Sequence, residues 1–66
     1  MSEFDGTNRS HVKVGGEVEI VQKHHQQTGE LTWGFVKRLL TNAAKHPHGI
    51  KVQLKTGEVG RVKNII

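Results

Sequence analysis

Residues 31–40 read Leu-Thr-Trp-Gly-Phe-Val-Lys-Arg-Leu-Leu, and residues 56–66 read Thr-Gly-Glu-Val-Gly-Arg-Val-Lys-Asn-Ile-Ile. How the first stretch is read decides the fold. Alone it is ambiguous, because Leu31, Phe35, Leu39 and Ala43 fall four apart, as on one face of a helix. The second stretch breaks the tie. Thr28-Gly29-Glu30-Leu31 matches Thr56-Gly57-Glu58-Val59, and, skipping Thr32 and Trp33, Gly34-Phe35-Val36-Lys37-Arg38-Leu39-Leu40 falls on Gly60-Arg61-Val62-Lys63-Asn64-Ile65-Ile66. That second copy is too short, and too rich in glycine and β-branched residues, for a stable helix. It follows Ile50-Lys51-Val52-Gln53-Leu54, which alternates apolar and polar, and a Lys55-Thr56-Gly57 turn. Together these make a β-hairpin. If the copies share a structure, residues 33–40 are the returning strand of an earlier hairpin.

Its outgoing strand lies upstream. Glu17-Val18-Glu19-Ile20 has the period of a half-buried strand, and Gly15-Gly16 before it suits a turn or bulge. Residues 24–30 are polar and read as a loop. Asn42-Ala43-Ala44-Lys45 suits one helical turn, Pro47 pushes His46 to an extended conformation, and Gly49 suits a positive φ. Residues 1–11 carry one large apolar residue, Phe4, and are expected to form a flexible tail, with order beginning near Val12 or Val14. Residues 12–66 are then one mostly β domain, two similar hairpins curled into a small SH3-like barrel, a closure that hides sheet edges. Gly34 and Gly60 mark places where a strand bends or bulges.

The whole chain fits that scale. Sixty-six residues make one domain at most, and 33% hydrophobic content with three aromatics implies a thin core. The absence of cysteine excludes disulfides and thiolate zinc sites. No apolar run reaches the length of a membrane span and no signal-peptide core is visible, so a cytoplasmic protein without a membrane partner is expected. Ten Lys and Arg against six Asp and Glu give a net charge of +4, which favours polyanionic partners.

The segments His46-Pro47-His48-Gly49-Ile50-Lys51-Val52, Val14-Gly15-Gly16-Glu17-Val18-Glu19-Ile20 and Gln27-Thr28-Gly29-Glu30-Leu31-Thr32-Trp33-Gly34-Phe35-Val36-Lys37 together resemble the YwbE family of small proteins of unassigned function. The resemblance runs from Arg9 to Ile65, and its most specific element is the stretch from His46 to Val52. The returns of the form Gly-x-Val-x-x-Ile also look like those of KOW-type modules in ribosomal and transcription proteins. The family implies a small β-barrel and says little of activity. Between Lys23 and Gly34, where such proteins carry an acidic and several basic residues, this chain has His25, Gln27, Glu30 and Trp33.

No catalytic constellation emerges. Thr28, Thr41 and Thr56 have no base and orienter at a supporting spacing, so an enzyme is not expected. His24-His25 and His46-x-His48 supply too few ligands for zinc, and neither a metal nor a cofactor is expected. The basic residues carry more. Alternation turns Lys51, Gln53 and Lys55 away from Ile50, Val52 and Leu54, and Arg61 and Lys63 away from Gly60 and Val62. The repeat sets Lys37 where Lys63 is, beside Arg38, and Trp33, Phe35 and Lys37 share one phase. Such a face would bring lysines to phosphates and aromatic rings to bases. Burial is nonetheless the first expectation for Trp33 and Phe35, since large aromatics are mostly core and this core needs them. A monomeric binding module for RNA or another nucleic acid is the favoured reading, with capture of a peptide in a barrel groove or at an edge strand as its alternative.

Overall fold

The computed structural model describes residues 6–66. Four strands, β1 (Glu17–Gln22), β2 (Thr32–Leu39), β3 (Lys51–Leu54) and β4 (Val59–Ile65), pair antiparallel in the order β1-β2-β3-β4. β4 pairs back onto β1, so the sheet closes into a small SH3-like barrel. The only helical segments among the described residues are 3₁₀ turns at Arg9–His11 and Lys23–His25. The tie between helix and strand at residues 31–40 is thus resolved as the repeat implied.

The inward phase of each strand builds the core. Val18 and Ile20, Gly34 and Val36, Val52 and Leu54, and Gly60 and Val62 are all buried, and Val12 and Ile50 complete the interior. Leu39 and Ile65 pack against it. Every side chain in it is aliphatic. With so little apolar volume, truncating any one member removes a sizeable part of the core.

The repeat seen in the returning strands extends to the whole barrel. Glu17, Val18 and Glu19 face Phe35, Gly34 and Trp33, just as Lys51, Val52 and Gln53 face Arg61, Gly60 and Val59. The other two seams correspond as well. Leu54, Gln53 and Val52 pair with Val36, Arg38 and Leu39, while Ile20, Glu19 and Val18 pair with Val62, Asn64 and Ile65. Entry to each pair matches too: Val36 N–H donates to Gly16 O and Val62 N–H to Ile50 O, both at 2.9 Å. Gly15 and Gly49, ahead of the outgoing strands, have φ of 84° and 100°. The barrel is therefore two copies of one hairpin related by a pseudo-two-fold axis. Only Val18 and Val52 are identical among the outgoing-strand residues 17–20 and 51–54, which hid this half of the repeat.

Four expectations need correction. Residues 1–5 of the expected tail lie outside the described residues, but residues 6–11 are docked. Gly6 is buried, Gly6 O accepts from Ile50 N–H, Thr7 O from His46 N–H, and Arg9 N–H donates to Ala44 O. Backbone pairing holds this segment, and apolar content alone could not reveal it. That docking also replaces the helical turn expected at Asn42–Lys45, where Lys45 forms a bridge with Asn8. The bulges fall at Lys37 and Lys63 rather than at Gly34 and Gly60, since the register slips between Val36 and Arg38 and at the equivalent point of β4. The glycines answer to close approach. A Cβ on Gly60 would lie 2.6 Å from Val21 O, and one on Gly34 2.7 Å from Leu54 Cδ1. Finally, Trp33 and Phe35 are 56% and 42% exposed, because their alternate positions, Gly34 and Val36, occupy the inward phase.

Candidate nucleic-acid interface

Closure around the pseudo-axis sorts the candidate residues onto opposite walls. β2 and β4 are never neighbours, so Phe35 and Arg61, equivalent in the repeat, look away from each other across the barrel. One row runs Glu17, Phe35, Lys55 across β1, β2 and the end of β3. Its counterpart runs Lys51, Arg61, Val21 across β3, β4 and β1. Directly opposed side chains in such rows have Cβ atoms roughly 5 Å apart and interact.

The second row carries the concentrated positive charge. Lys51 and Arg61 are cross-strand partners. Lys63 is exposed at the β4 bulge, which turns it out of the alternation that its neighbours keep. Around Arg61 and Lys63 opens a groove of about 550 Å³ lined also by Gln26 and His48, and an adjoining hollow adds Lys23 and Lys51. Arg61 is positioned within this wall: its guanidinium donates to Gly49 O at 3.0 Å, fixing one end of the fork. Three candidates from the sequence, Lys51, Arg61 and Lys63, are thus brought together. Lys23, Gln26 and His48 join them unforeseen. Lys23 and Gln26 sit in the turn after β1, and their approach to β4 depends on closure between β1 and β4, a contact between strands far apart in sequence. His48, weighed in the sequence only as half of a pair too thin for zinc, reaches β4 through the loop into β3, where Ile50 O accepts the Val62 N–H.

The remaining candidates lie elsewhere. Lys55 flanks Phe35, its backbone N–H donating to Phe35 O at 2.8 Å. Lys37 occupies the β2 bulge, equivalent to Lys63, and Arg38 Nε–H donates to Gln53 Oε1 at 2.9 Å. Trp33 and Phe35 pack edge to face with ring centres 5.3 Å apart, and the Trp33 indole N–H donates to Glu17 Oε2 at 2.6 Å. Glu19 lies opposite Trp33 on β1. The aromatic wall is therefore acidic on its β1 side, where the Arg61 wall is basic.

Two groups near the ends of the barrel have shifted ionisation. His46 is held below its ordinary range by desolvation, then by the charges of Arg61 and His48. Its Nδ1 accepts the His48 backbone N–H at 3.1 Å, which also requires that nitrogen unprotonated. Glu58 is lowered by the Thr56 hydroxyl, which donates to Oε1, and by its own backbone N–H. Among the described residues no three His, Asp or Glu side chains converge as a metal site would require. Nor is any helix there long and apolar enough to cross a membrane.

Residues 5–65 match the family described as "Uncharacterized conserved protein (DUF2196)". The chain is similar to the "Uncharacterized protein YwbE" of Bacillus subtilis (strain 168), with 47% identity over 63 residues that cover 96% of this chain and 97% of that one. No solved structure matches it significantly. On a match that spans nearly the whole barrel and a relative of almost the same length, the chain belongs to the YwbE (DUF2196) family.

Proposed function

We propose that this protein is a non-catalytic cytoplasmic module that binds single-stranded RNA, or a comparable nucleic acid, along the Lys51–Arg61–Lys63 wall. One observation carries the reading: the pseudo-two-fold places Lys51 and Arg61 where the other half has Glu17 and Phe35, so cations collect on one wall around an open groove. Lys23, Lys51, Arg61 and Lys63 would neutralise phosphates, and Gln26 and His48 would offer further hydrogen bonds within the groove. Capture of a peptide by strand addition gains nothing from β1–β4, since each of these strands is paired on both sides.

Four phosphate contacts at most predict weak binding, micromolar or poorer at low salt, with a log–log salt slope of about −3 for a single strand. Titration with an unstructured RNA oligonucleotide at two salt concentrations measures both. Lys51→Glu combined with Lys63→Glu should abolish binding while Lys37→Glu combined with Lys55→Glu weakens it far less, both variants remaining folded because these side chains are exposed. Absence of RNA-induced shifts at Lys51, Arg61 and Lys63 at low salt would end the nucleic-acid reading.

A further inference from the structure

The wall opposite the basic groove has a composition that phosphate binding does not use. Trp33 and Phe35 are both substantially exposed, 5.3 Å apart at 67° between ring planes. Nothing in the core requires them there, since the inward positions of β2 are filled by Gly34 and Val36. Two carboxylates border the pair from β1. Glu17 accepts the indole N–H through Oε2, and Glu19, opposite Trp33, accepts Asn64 Nδ2–H through Oε1 at 3.0 Å. A carboxylate has about four acceptor positions, so each keeps capacity for another donor.

Aromatic faces beside fixed carboxylates suit a cation. The ring quadrupole attracts positive charge lying over the face, and an adjacent carboxylate adds a charge-assisted hydrogen bond. The indole is already oriented by its bond to Glu17, which lowers the ordering cost of binding. A nucleic-acid base stacked on Trp33 would instead carry its phosphate toward Glu17 and Glu19. We infer that the Trp33–Phe35 wall docks an arginine side chain of an extended basic peptide segment, the guanidinium stacking on the indole and forking to Glu17. Arginine fits better than lysine, because its planar group both stacks and pairs bidentately with a carboxylate. Lys55, on the far side of Phe35 from Glu17, bounds the site and excludes the cation there. The protein is then two-faced, with an anion-binding wall on β4 and a cation-binding wall on β2.

The chain has a single tryptophan, so indole fluorescence reports this wall alone. The probe is a capped peptide of alternating glycine and arginine, titrated into the full chain with the Trp33 indole proton followed by NMR. Saturable quenching with a shifted indole proton is expected, weaker by several-fold for the lysine peptide and absent for a glutamate peptide. Glu17→Gln should weaken the arginine peptide several-fold while preserving the dispersed spectrum of the folded barrel. Trp33→Ala should remove its shifts at Phe35, and Lys51→Glu with Lys63→Glu should leave them unchanged. This last arm separates the inference from the nucleic-acid reading, which can fail or stand independently. No saturable response to the arginine peptide, an equal response to the glutamate peptide, or perturbation of Trp33 by single-stranded RNA alone would each overturn it.

Discussion

The two halves of the barrel share one backbone plan and present opposite surfaces. Positions inside the barrel are interchangeable: Val18 and Val52, Ile20 and Leu54, Val36 and Val62 occupy corresponding places in corresponding ladders. Outside, Glu17 corresponds to Lys51, Phe35 to Arg61 and Lys55 to Val21, and the ladders set Trp33, not the Leu31 of the sequence match, against Val59. Packing constrains the inward set because a change of one methylene is felt throughout so small an interior. Solvent tolerates almost any polar outward residue, so there the copies are free to diverge. The lesson is that the repeat identifies the scaffold and the departures from the repeat identify the surfaces.

If the halves are equivalent inside, removing equivalent core residues should cost about the same. Ile20→Ala and Leu54→Ala are each expected to lose about 2–5 kcal/mol, enough to leave a domain of this size largely unfolded at room temperature. Urea titration of both variants measures it. A loss confined to one of them would show that one hairpin carries the stability and that the symmetry is only geometric.

The glycines should separate the halves. Ala at Gly60 meets backbone, the Val21 carbonyl oxygen, which closure of β1 on β4 holds in place; Ala at Gly34 meets the end of the Leu54 side chain, which can turn aside. Gly60→Ala should therefore cost at the upper end of about 1–3 kcal/mol and Gly34→Ala toward the lower end. Equal melting temperatures for the two would refute the distinction.

These same residues show what could be read from the sequence. The returning strands were legible because Gly34 with Val36 and Gly60 with Val62 repeat at one spacing, and that spacing overruled the helical pattern of Leu31, Phe35 and Leu39. Two residues separate Val36 from Leu39, and Val62 from Ile65, and this break in alternation is the bulge itself; it was legible too, but was assigned to the glycines. Docking of residues 6–11 was hidden because it rests on backbone hydrogen bonds, to which side-chain pattern is silent. Within the candidate site, Lys51, Arg61 and Lys63 followed from strand phase alone. Which candidates share a wall did not, because that depends on the pairing of β4 with β1 and so on barrel closure.

A cross-strand pair tests how far outward positions still obey the symmetry. Arg38 with Gln53 and Asn64 with Glu19 are equivalent pairs, each with its donor at the bulge side of a returning strand and its acceptor on an outgoing one, at 2.9 and 3.0 Å. Double-mutant cycles through alanine should give coupling of about 0.2–1 kcal/mol for each, both being exposed. Zero coupling in both cycles would mean that only the ladder, and not its side-chain pairs, is duplicated.

The smallest expected effect lies in the loop that leads into β3, where His46 sits against the basic wall and only one half has a titratable group so placed. The folded state holds its imidazole below the ordinary value, through desolvation first and then the charges of Arg61 and His48. The unfolded chain therefore takes up this proton at higher pH than the folded one. Its contribution to stability is complete above about pH 6.5 and is lost as pH falls from there through the folded value. Asn at position 46 can offer an acceptor to the His48 N–H without titrating. Comparing melting temperature against pH for the protein and for His46→Asn should show the native chain falling more between pH 7 and 5, by a small margin because the ring lies near solvent. Glu58 does not confuse the comparison, because its depressed carboxyl contributes above the ordinary carboxylate range and fails only as pH drops further, through its folded value. Parallel curves for the two proteins from pH 7 to 5 would show that the bond to Nδ1 is not felt in the fold.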